Sequence, residues 1–342
     1  MPERSDGIPP SFVMIHRFNH VFSYLCSMSR KRICILIALF FFASLAAQET
    51  GERFVFTPQS TAQAQFAGYY VALEQGFYAE EGLDVTIAHP FTTTSAVDNI
   101  REGVCQATIL PLSLAMRTID GGLPLVNILQ TSMNSATVII SRWGADPLTL
   151  RGAKVAAFRA GFGQLARSFA EMENLDYEWI MAASVKNIFI AGAVDATLAR
   201  SYDEYYQLLQ TRIIQPDTGI YRFEDHQYNV QQEGVYVTRA YYEAHPKLAE
   251  AFARASRRGW EWADEHPEET LDLVMRYVRE YRIPTNRTLQ ELMLKEVIRL
   301  QHDHDSGIKE FRLRPDMVDK ANEMLEKAGM VSRRITVEDL LP

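Results

Sequence analysis

Cysteine is scarce in this chain of 342 residues: there are three, Cys26, Cys34 and Cys105, and the first two fall in an N-terminal stretch expected to be removed. One remaining thiol excludes an internal disulfide and any cysteine-based metal site. Basic charge is short as well. Lys and Arg number 35 against 43 Asp and Glu, giving a net charge of −8, and no basic stripe runs through the body of the chain. Nucleic acid, whose phosphates reward clustered Lys and Arg, is therefore not an expected partner. No apolar run reaches the roughly 20 residues that a membrane-spanning helix needs. No repeat or low-complexity stretch is visible, and no glycine loop continues into the Gly-Lys-Ser/Thr of a nucleotide phosphate cradle. No cofactor is expected.

What is present is an ordinary globular balance, 47% hydrophobic and 23% charged, long enough for two α/β lobes with buried sheets. Near the N-terminus, Arg30-Lys31-Arg32 precedes the apolar run Ile33 to Leu45, and Ala46-Ala47-Gln48-Glu49 follows. Basic residues, a short apolar segment and small residues before a polar start are the pattern of a secretory signal peptide. An uncleaved anchor is the alternative reading. Residues 1–27 sit awkwardly before such a signal, so Met28 is the expected initiator and Ala47 the approximate cleavage point. Loss of residues 1–47 removes Arg4, Arg17, Arg30, Lys31 and Arg32 against Glu3 and Asp6, moving the net charge from −8 to −11. No cysteine stands at the cleavage point to carry a lipid, so a soluble, monomeric, periplasmic protein is expected.

Past the leader, strands and helices alternate. Phe54–Thr57, Val85–Ala88, Ala107–Leu110, Leu125–Gln130 and Ala136–Ser141 read as strands of a first sheet, with helices over Gln63–Tyr78, Thr94–Glu102 and Ser113–Asp120 between them. A second unit opens at Leu150, with strands Lys154–Phe158, Tyr177–Ala183 and Ala193–Ala199. Gly219–Phe223 and Gly234–Thr238 read as strands leading back to the first lobe, and the chain is helical from Tyr241 onward. The expected organisation is a leader over 1–47, lobe 1 over 48–143, lobe 2 over 144–229, and a return to lobe 1 with C-terminal helices over 230–342. In open α/β sheets ligands gather outside the carboxyl ends of strands, and two lobes turn that edge into a cleft.

Several segments then read together. Gln65-Phe-Ala-Gly-Tyr-Tyr-Val-Ala-Leu-Glu-Gln-Gly-Phe-Tyr-Ala-Glu-Glu-Gly-Leu-Asp-Val85, Leu150-Arg-Gly-Ala-Lys-Val155, Gly192-Ala-Val-Asp-Ala196 with Tyr202-Asp-Glu-Tyr205, and His245-Pro through Gly259-Trp260 to His266-Pro-Glu268 lie in order over about residues 53–280. Together they resemble the family of thiamine-pyrimidine-precursor and taurine or sulfonate binding proteins, which also includes the fungal pyrimidine synthase of thiamine biosynthesis. The resemblance implies an α/β, two-lobe type II periplasmic-binding-protein fold with a C-terminal helical layer. It also implies capture of a small organic ligand for an ABC permease in the inner membrane, or for a sensor kinase. The fungal enzyme's cysteine-rich iron motif has no counterpart in a chain with one remaining thiol, so an enzyme is not expected. A pyrimidine synthase would need a metal site and a reactive histidine near the cleft, and His89 is the one histidine of residues 48–143.

Candidate ligand residues follow from the strand-end rule and from the resemblance. Gln63, Gln65, Tyr69 and Tyr70 follow the first strand, and a tyrosine offers a stacking face with a polar tip; core packing is the competing reading, and a helix cannot face all of them into one site. Ser113 bonds a ligand or caps its helix. Asn134 and Ser135 lie at a sheet edge, where turn chemistry is the alternative. Arg159 and Gly161 belong to a loop before a helix N-terminus suited to an anionic or carbonyl oxygen; Arg159 is the residue a sulfonate would want. By resemblance, Glu204 accepts from a ligand amine or protonated ring nitrogen, with Asp203 and Tyr205 beside it, against the plainer role of acids in a first helical turn. His302-Asp-His-Asp305 is read as a solvated helix end, since neighbours two apart do not face each other on a helix.

Overall fold

The computed structural model describes residues 51–90, 95–159, 162–304 and 306–342; the leader, Gly161 and Asp305 lie outside the described residues. Gly51–Pro342 forms one unit holding two five-stranded mixed sheets. The first contains β1 (Glu52–Thr57), β2 (Leu83–Ile87), β3 (Ala107–Pro111), β4 (Leu125–Gln130) and β10 (Glu233–Thr238), in the order β2-β1-β3-β10-β4. The second contains β5 (Thr137–Ser141), β6 (Lys154–Phe158), β7 (Glu178–Ala182), β8 (Ala196–Arg200) and β9 (Ile220–Arg222), in the order β7-β6-β8-β5-β9. Most strands are near-continuous apolar runs, as sheets covered by helices on both faces require.

One strand is not where the sequence puts it. β5 was expected to continue the first sheet, but it pairs antiparallel with β8 and β9 in the second. The first crossover is therefore residues 131–136, and lobe 2 begins before residue 144. β4 and β5 are both apolar and only six residues apart, so the local pattern is the same whether the chain turns back or crosses over. The second crossover is residues 223–232, and β9 stays with lobe 2.

In each sheet a single antiparallel strand has a defined consequence. β10 runs against β3 and β4, so its first residue shares an edge with the carboxyl ends of β1, β3 and β4. In lobe 2 the first residue of β5 likewise shares an edge with the ends of β6 and β8. Side chains stitch the two crossovers together: Asn229 Oδ1 accepts from the Ser135 amide (2.9 Å), and Gln232 Oε1 accepts from the Ala136 amide (2.8 Å). The result is a two-stranded hinge.

The C-terminal helices Pro246–Glu265 and Pro267–Glu280 clothe lobe 1, whereas Pro315–Lys327, expected there too, packs chiefly on the lobe 2 helix Gln164–Met172. The 20-residue helix Pro246–Glu265 packs on the helix Ala67–Glu74, with Phe252 stacked on Phe54 at 4.6 Å and Trp260 edge-on to Tyr69 at 5.7 Å. Two glycines let the helices approach. A Cβ on Gly259 would lie 2.0 Å from the carbonyl oxygen of Gly68, and one on Gly68 would lie 2.3 Å from the Trp260 ring. Because backbone sits opposite, the Gly259→Ala clash cannot be relieved by a rotamer change. It should destabilise the fold by about 2–3 kcal/mol, read as a lower urea midpoint with unchanged slope.

Candidate functional site

Glu233 opens β10 and so lies at the cleft edge, buried, between the lobes. Its Oε1 accepts three bonds: from Gln59 Nε2 (2.8 Å), from Gln65 Nε2 (2.6 Å) and from Tyr202 OH (2.6 Å). Gln63 backs Gln65 by donating to its Oε1 at 2.6 Å. The Glu233 Oε2 atom takes no bond from the described residues. A carboxylate can accept at about four lone-pair positions, so half of this one is left for another donor. Tyr202 reaches across from the end of β8 in lobe 2 into the core of lobe 1. Burial, and then the adjacent Glu233, push its phenol well above the ordinary range, so it remains a donor.

A narrow cavity adjoins this carboxylate, with walls that include Gln65, Thr131, Ser132, Tyr202, Glu233 and Trp260. It has room for roughly one water molecule. Two neighbouring buried donors, the Trp260 indole N–H and the Tyr69 hydroxyl, lie close to each other but have no well-aligned partner among the described residues. The site thus combines a half-used carboxylate, an aromatic wall and these two donors where the two lobes meet. Any organic ligand would have to enter with the lobes apart.

The expected residues divide. Gln65 lines the cavity and Gln63 supports it. The Tyr69 ring is core, against Phe56 at 4.6 Å, with only its hydroxyl near the site. Tyr70 stacks on Tyr277 at 4.1 Å and turns its hydroxyl to His89. Ser113 is not the cap of its helix, since Pro111 holds that position; its Oγ reaches Gln164 Oε1 of lobe 2 at 3.5 Å, the outer limit of a bond. Asn134 belongs to the hinge: its Nδ2 donates to the His302 carbonyl (2.6 Å) and its Oδ1 accepts from Asn229 (3.1 Å). Arg159 is exposed at the end of β6, with its backbone N–H on the Ala182 carbonyl.

Glu204 and Asp203 are both buried and both face Arg200. Glu204 Oε2 accepts from the Arg200 backbone N–H and Nε, each at 3.0 Å, and Asp203 accepts from Arg200 Nη2 at 2.8 Å. Burial pushes the Glu204 carboxyl up, but the guanidinium outweighs it and holds the group below its usual range. Burial, and then Glu204, push Asp203 up. The pair is occupied within lobe 2. Tyr205 lies under the Arg222 guanidinium, 4.7 Å from its ring centroid, in the lobe 2 core. Among the described residues no group of three or more His, Cys, Asp or Glu side chains is arranged to hold a metal.

His89 has both ring nitrogens committed. A carbonyl can only accept, so Nδ1–H donates to Ser60 O (2.7 Å) and Nε2 accepts from Tyr70 OH (2.8 Å). Burial pushes the imidazole down to about 4. The unfolded chain, with His89 near 6.5, therefore binds the proton first as pH falls. Stability contributed by neutral His89 is fully present above about pH 6.5 and is lost progressively between there and about pH 4, in all roughly 3 kcal/mol. Urea midpoints over that window should fall in the wild type and stay flatter in His89→Gln. Burial also pushes the Cys105 thiol up to about 11, so it is not a thiolate at neutral pH.

The unexpected residues of the site include Glu233, Gln59, Tyr202 and Trp260. Tyr202 and Trp260 lie inside the segments that carry the family resemblance. Glu233 had a fainter signal, one acid opening the otherwise uncharged Gly234-Val-Tyr-Val-Thr238 after two glutamines. The strand-end rule looked past it because an antiparallel strand meets the cleft with its first residue.

The family model described as NMT1/THI5 like matches residues 63–270. This chain belongs to that family. Among relatives of this NMT1/THI5-like protein, the formylaminopyrimidine-binding protein of Halalkalibacterium halodurans is 24% identical over 286 residues, 77% of this chain and 83% of that one. The riboflavin-binding protein RibY of Chloroflexus aurantiacus is 23% identical over 317 residues, 85% of each chain. In fold, the NMT1/THI5-like chain is similar to the ligand-binding component of an ABC-type import system from Staphylococcus aureus. The TM-score is 0.62 at 7% identity, covering 85% of this chain and 96% of that one. The two mixed sheets and their helices thus form the two-lobe periplasmic-binding-protein fold.

Proposed function

We propose that this NMT1/THI5-like protein is the extracytoplasmic solute-binding component of an ABC importer, and that it captures a flat, amine-bearing heterocycle, with a thiamine pyrimidine precursor as the first candidate. The observation that carries the reading is the Glu233 carboxylate between the lobes: Oε1 is saturated by three donors while Oε2 takes none among the described residues. An exocyclic amine or protonated ring nitrogen supplies the missing donor through a charge-assisted bond, and Trp260 supplies an aromatic wall. Ligand bound to both lobes stabilises the closed form, which is the form a permease would recognise. The names of the two relatives, which bind a formylaminopyrimidine and riboflavin, support a planar heterocycle.

A sulfonate fits this site poorly. It would face the Glu233 carboxylate, and the nearby cation of lobe 2, Arg200, is already paired with Asp203 and Glu204. The pyrimidine-synthase reading is not favoured at its expected histidine, because His89 is committed at both nitrogens and the Cys105 thiol is buried and protonated.

The test is a thermal-shift screen of the chain from Gln48 onward against formylaminopyrimidine, other thiamine precursors, riboflavin, taurine and alkanesulfonates. A ligand at 100 times its Kd stabilises by about 2.7 kcal/mol, a shift of a few degrees for a protein of this size. A shift with an aminopyrimidine is the expected result. A response to sulfonates alone would overturn the ligand assignment.

A further inference from the structure

The groups that fill Glu233 Oε1 from lobe 1 come from one short segment. Gln59 donates directly, and Gln63 holds Gln65, which donates the second bond. Residues 58–63 join β1 to the turn Ala64–Phe66 and have no regular structure of their own. Two side chains from elsewhere pin this segment. At its far end Gln290 Oε1 accepts from the Ala64 amide at 2.7 Å. At its middle, His89 Nδ1–H donates to the Ser60 carbonyl at 2.7 Å, one residue from Gln59. The imidazole is itself fixed. Its Nε2 accepts from Tyr70 OH, and its ring lies edge-on to Tyr281 at 4.9 Å and tilted against Phe66 at 5.4 Å. Its one outgoing bond ends on the backbone next to a ligand-site donor.

We propose that His89 is a positioning residue for ligand binding: by holding the Ser60 carbonyl it fixes segment 58–63 so that Gln59 stays on Glu233 Oε1 and leaves Oε2 turned to the ligand. The inference rests on the assignment of Glu233 as the ligand-facing group. His89 touches no ligand in this scheme, and it acts through Gln59. Without the pin, Gln59 leaves Oε1, the carboxylate is held by Gln65 and Tyr202 alone, and the ligand must restore part of its orientation on binding.

The test is isothermal titration of formylaminopyrimidine into the wild type, His89→Ala, Gln59→Ala, the double variant and His89→Asn. Loss of one such bond corresponds to about a 10-fold weaker Kd. Each single alanine variant should show that loss, the double variant should be no weaker than about 10-fold because both remove the same link, and His89→Asn, which keeps a donor toward Ser60, should recover most of it. A merely structural histidine predicts lower thermal stability with unchanged affinity, or losses that multiply to about 100-fold in the double variant; either overturns the proposal. Hydrogen exchange of the ligand-free full chain decides the pinning independently. Faster exchange over residues 59–66 in His89→Ala and His89→Asn-restored protection support it, and unchanged protection in His89→Ala overturns it. Absence of any formylaminopyrimidine binding by the wild type would instead count against the ligand assignment and leave the exchange result to decide the role of His89.

Discussion

Replacing Glu233 by Gln weakens capture of an aminopyrimidine by about 100-fold, the equivalent of ~3 kcal/mol. Three donors share Oε1, and the ligand amine is assigned to Oε2. Glutamine is nearly the same shape but has one acceptor oxygen and gains two N–H donors. If that oxygen stays with Gln59, Gln65 and Tyr202, the new amide nitrogen confronts the ligand amine, donor against donor. If it turns to the ligand, three buried donors lose their acceptor, and each unsatisfied group costs on the order of 1–3 kcal/mol. Neither arrangement is good, so affinity falls far more than the loss of one ordinary bond would produce. Calorimetric titration against formylaminopyrimidine checks the size of the effect. A change under about 3-fold, in protein with an unaltered melting temperature, would remove Glu233 from the ligand site.

The largest effect on stability should come from Arg200. Its guanidinium answers two buried carboxylates, Asp203 and Glu204, and lies 5.3 Å from the Phe158 ring centroid. Removing one partner of a buried ionic group strands the others, and the cost is typically 3–5 kcal/mol. Arg200→Met keeps the length of the chain and its contact with Phe158 but leaves two acids facing each other. We expect a loss of about 3–5 kcal/mol in urea unfolding at neutral pH. Adding Asp203→Asn and Glu204→Gln to the same protein should restore much of it, because the charges left unpaired are then gone. A loss below about 1 kcal/mol would mean that the trio is solvated and its charges screened. The same variants speak to Glu204 as a ligand group. With Glu204 held by Arg200, Glu204→Gln should lower stability while changing affinity by less than about 3-fold.

The α/β fold class was legible because it rests on short-range pattern. Apolar runs such as Val155–Phe158 and the helical spacing of Phe66, Tyr69, Tyr70 and Leu73 report burial directly. The site was legible only in part. Gln63 and Gln65 follow the first strand of a parallel pair, where the strand-end rule applies. Asn134 obeyed the same rule yet serves the hinge, and Glu204, marked by the family resemblance, is bound to an arginine only four residues before it. Sequence position names a sheet edge; it does not say which neighbour a polar group will meet there.

By itself, then, the sequence determined the class of molecule: an acidic α/β chain with segments of the NMT1/THI5-like family. Those properties depend on composition and on contacts within a few residues, which the order of amino acids states outright. The tertiary structure decided that β5 belongs to the second sheet, that β10 runs against its neighbours, and that Glu233 is brought to Gln59, Gln65 and Tyr202. These pairings join residues 31 to 174 positions apart. They are selected by how whole sheets and helices pack, and no local pattern encodes that choice.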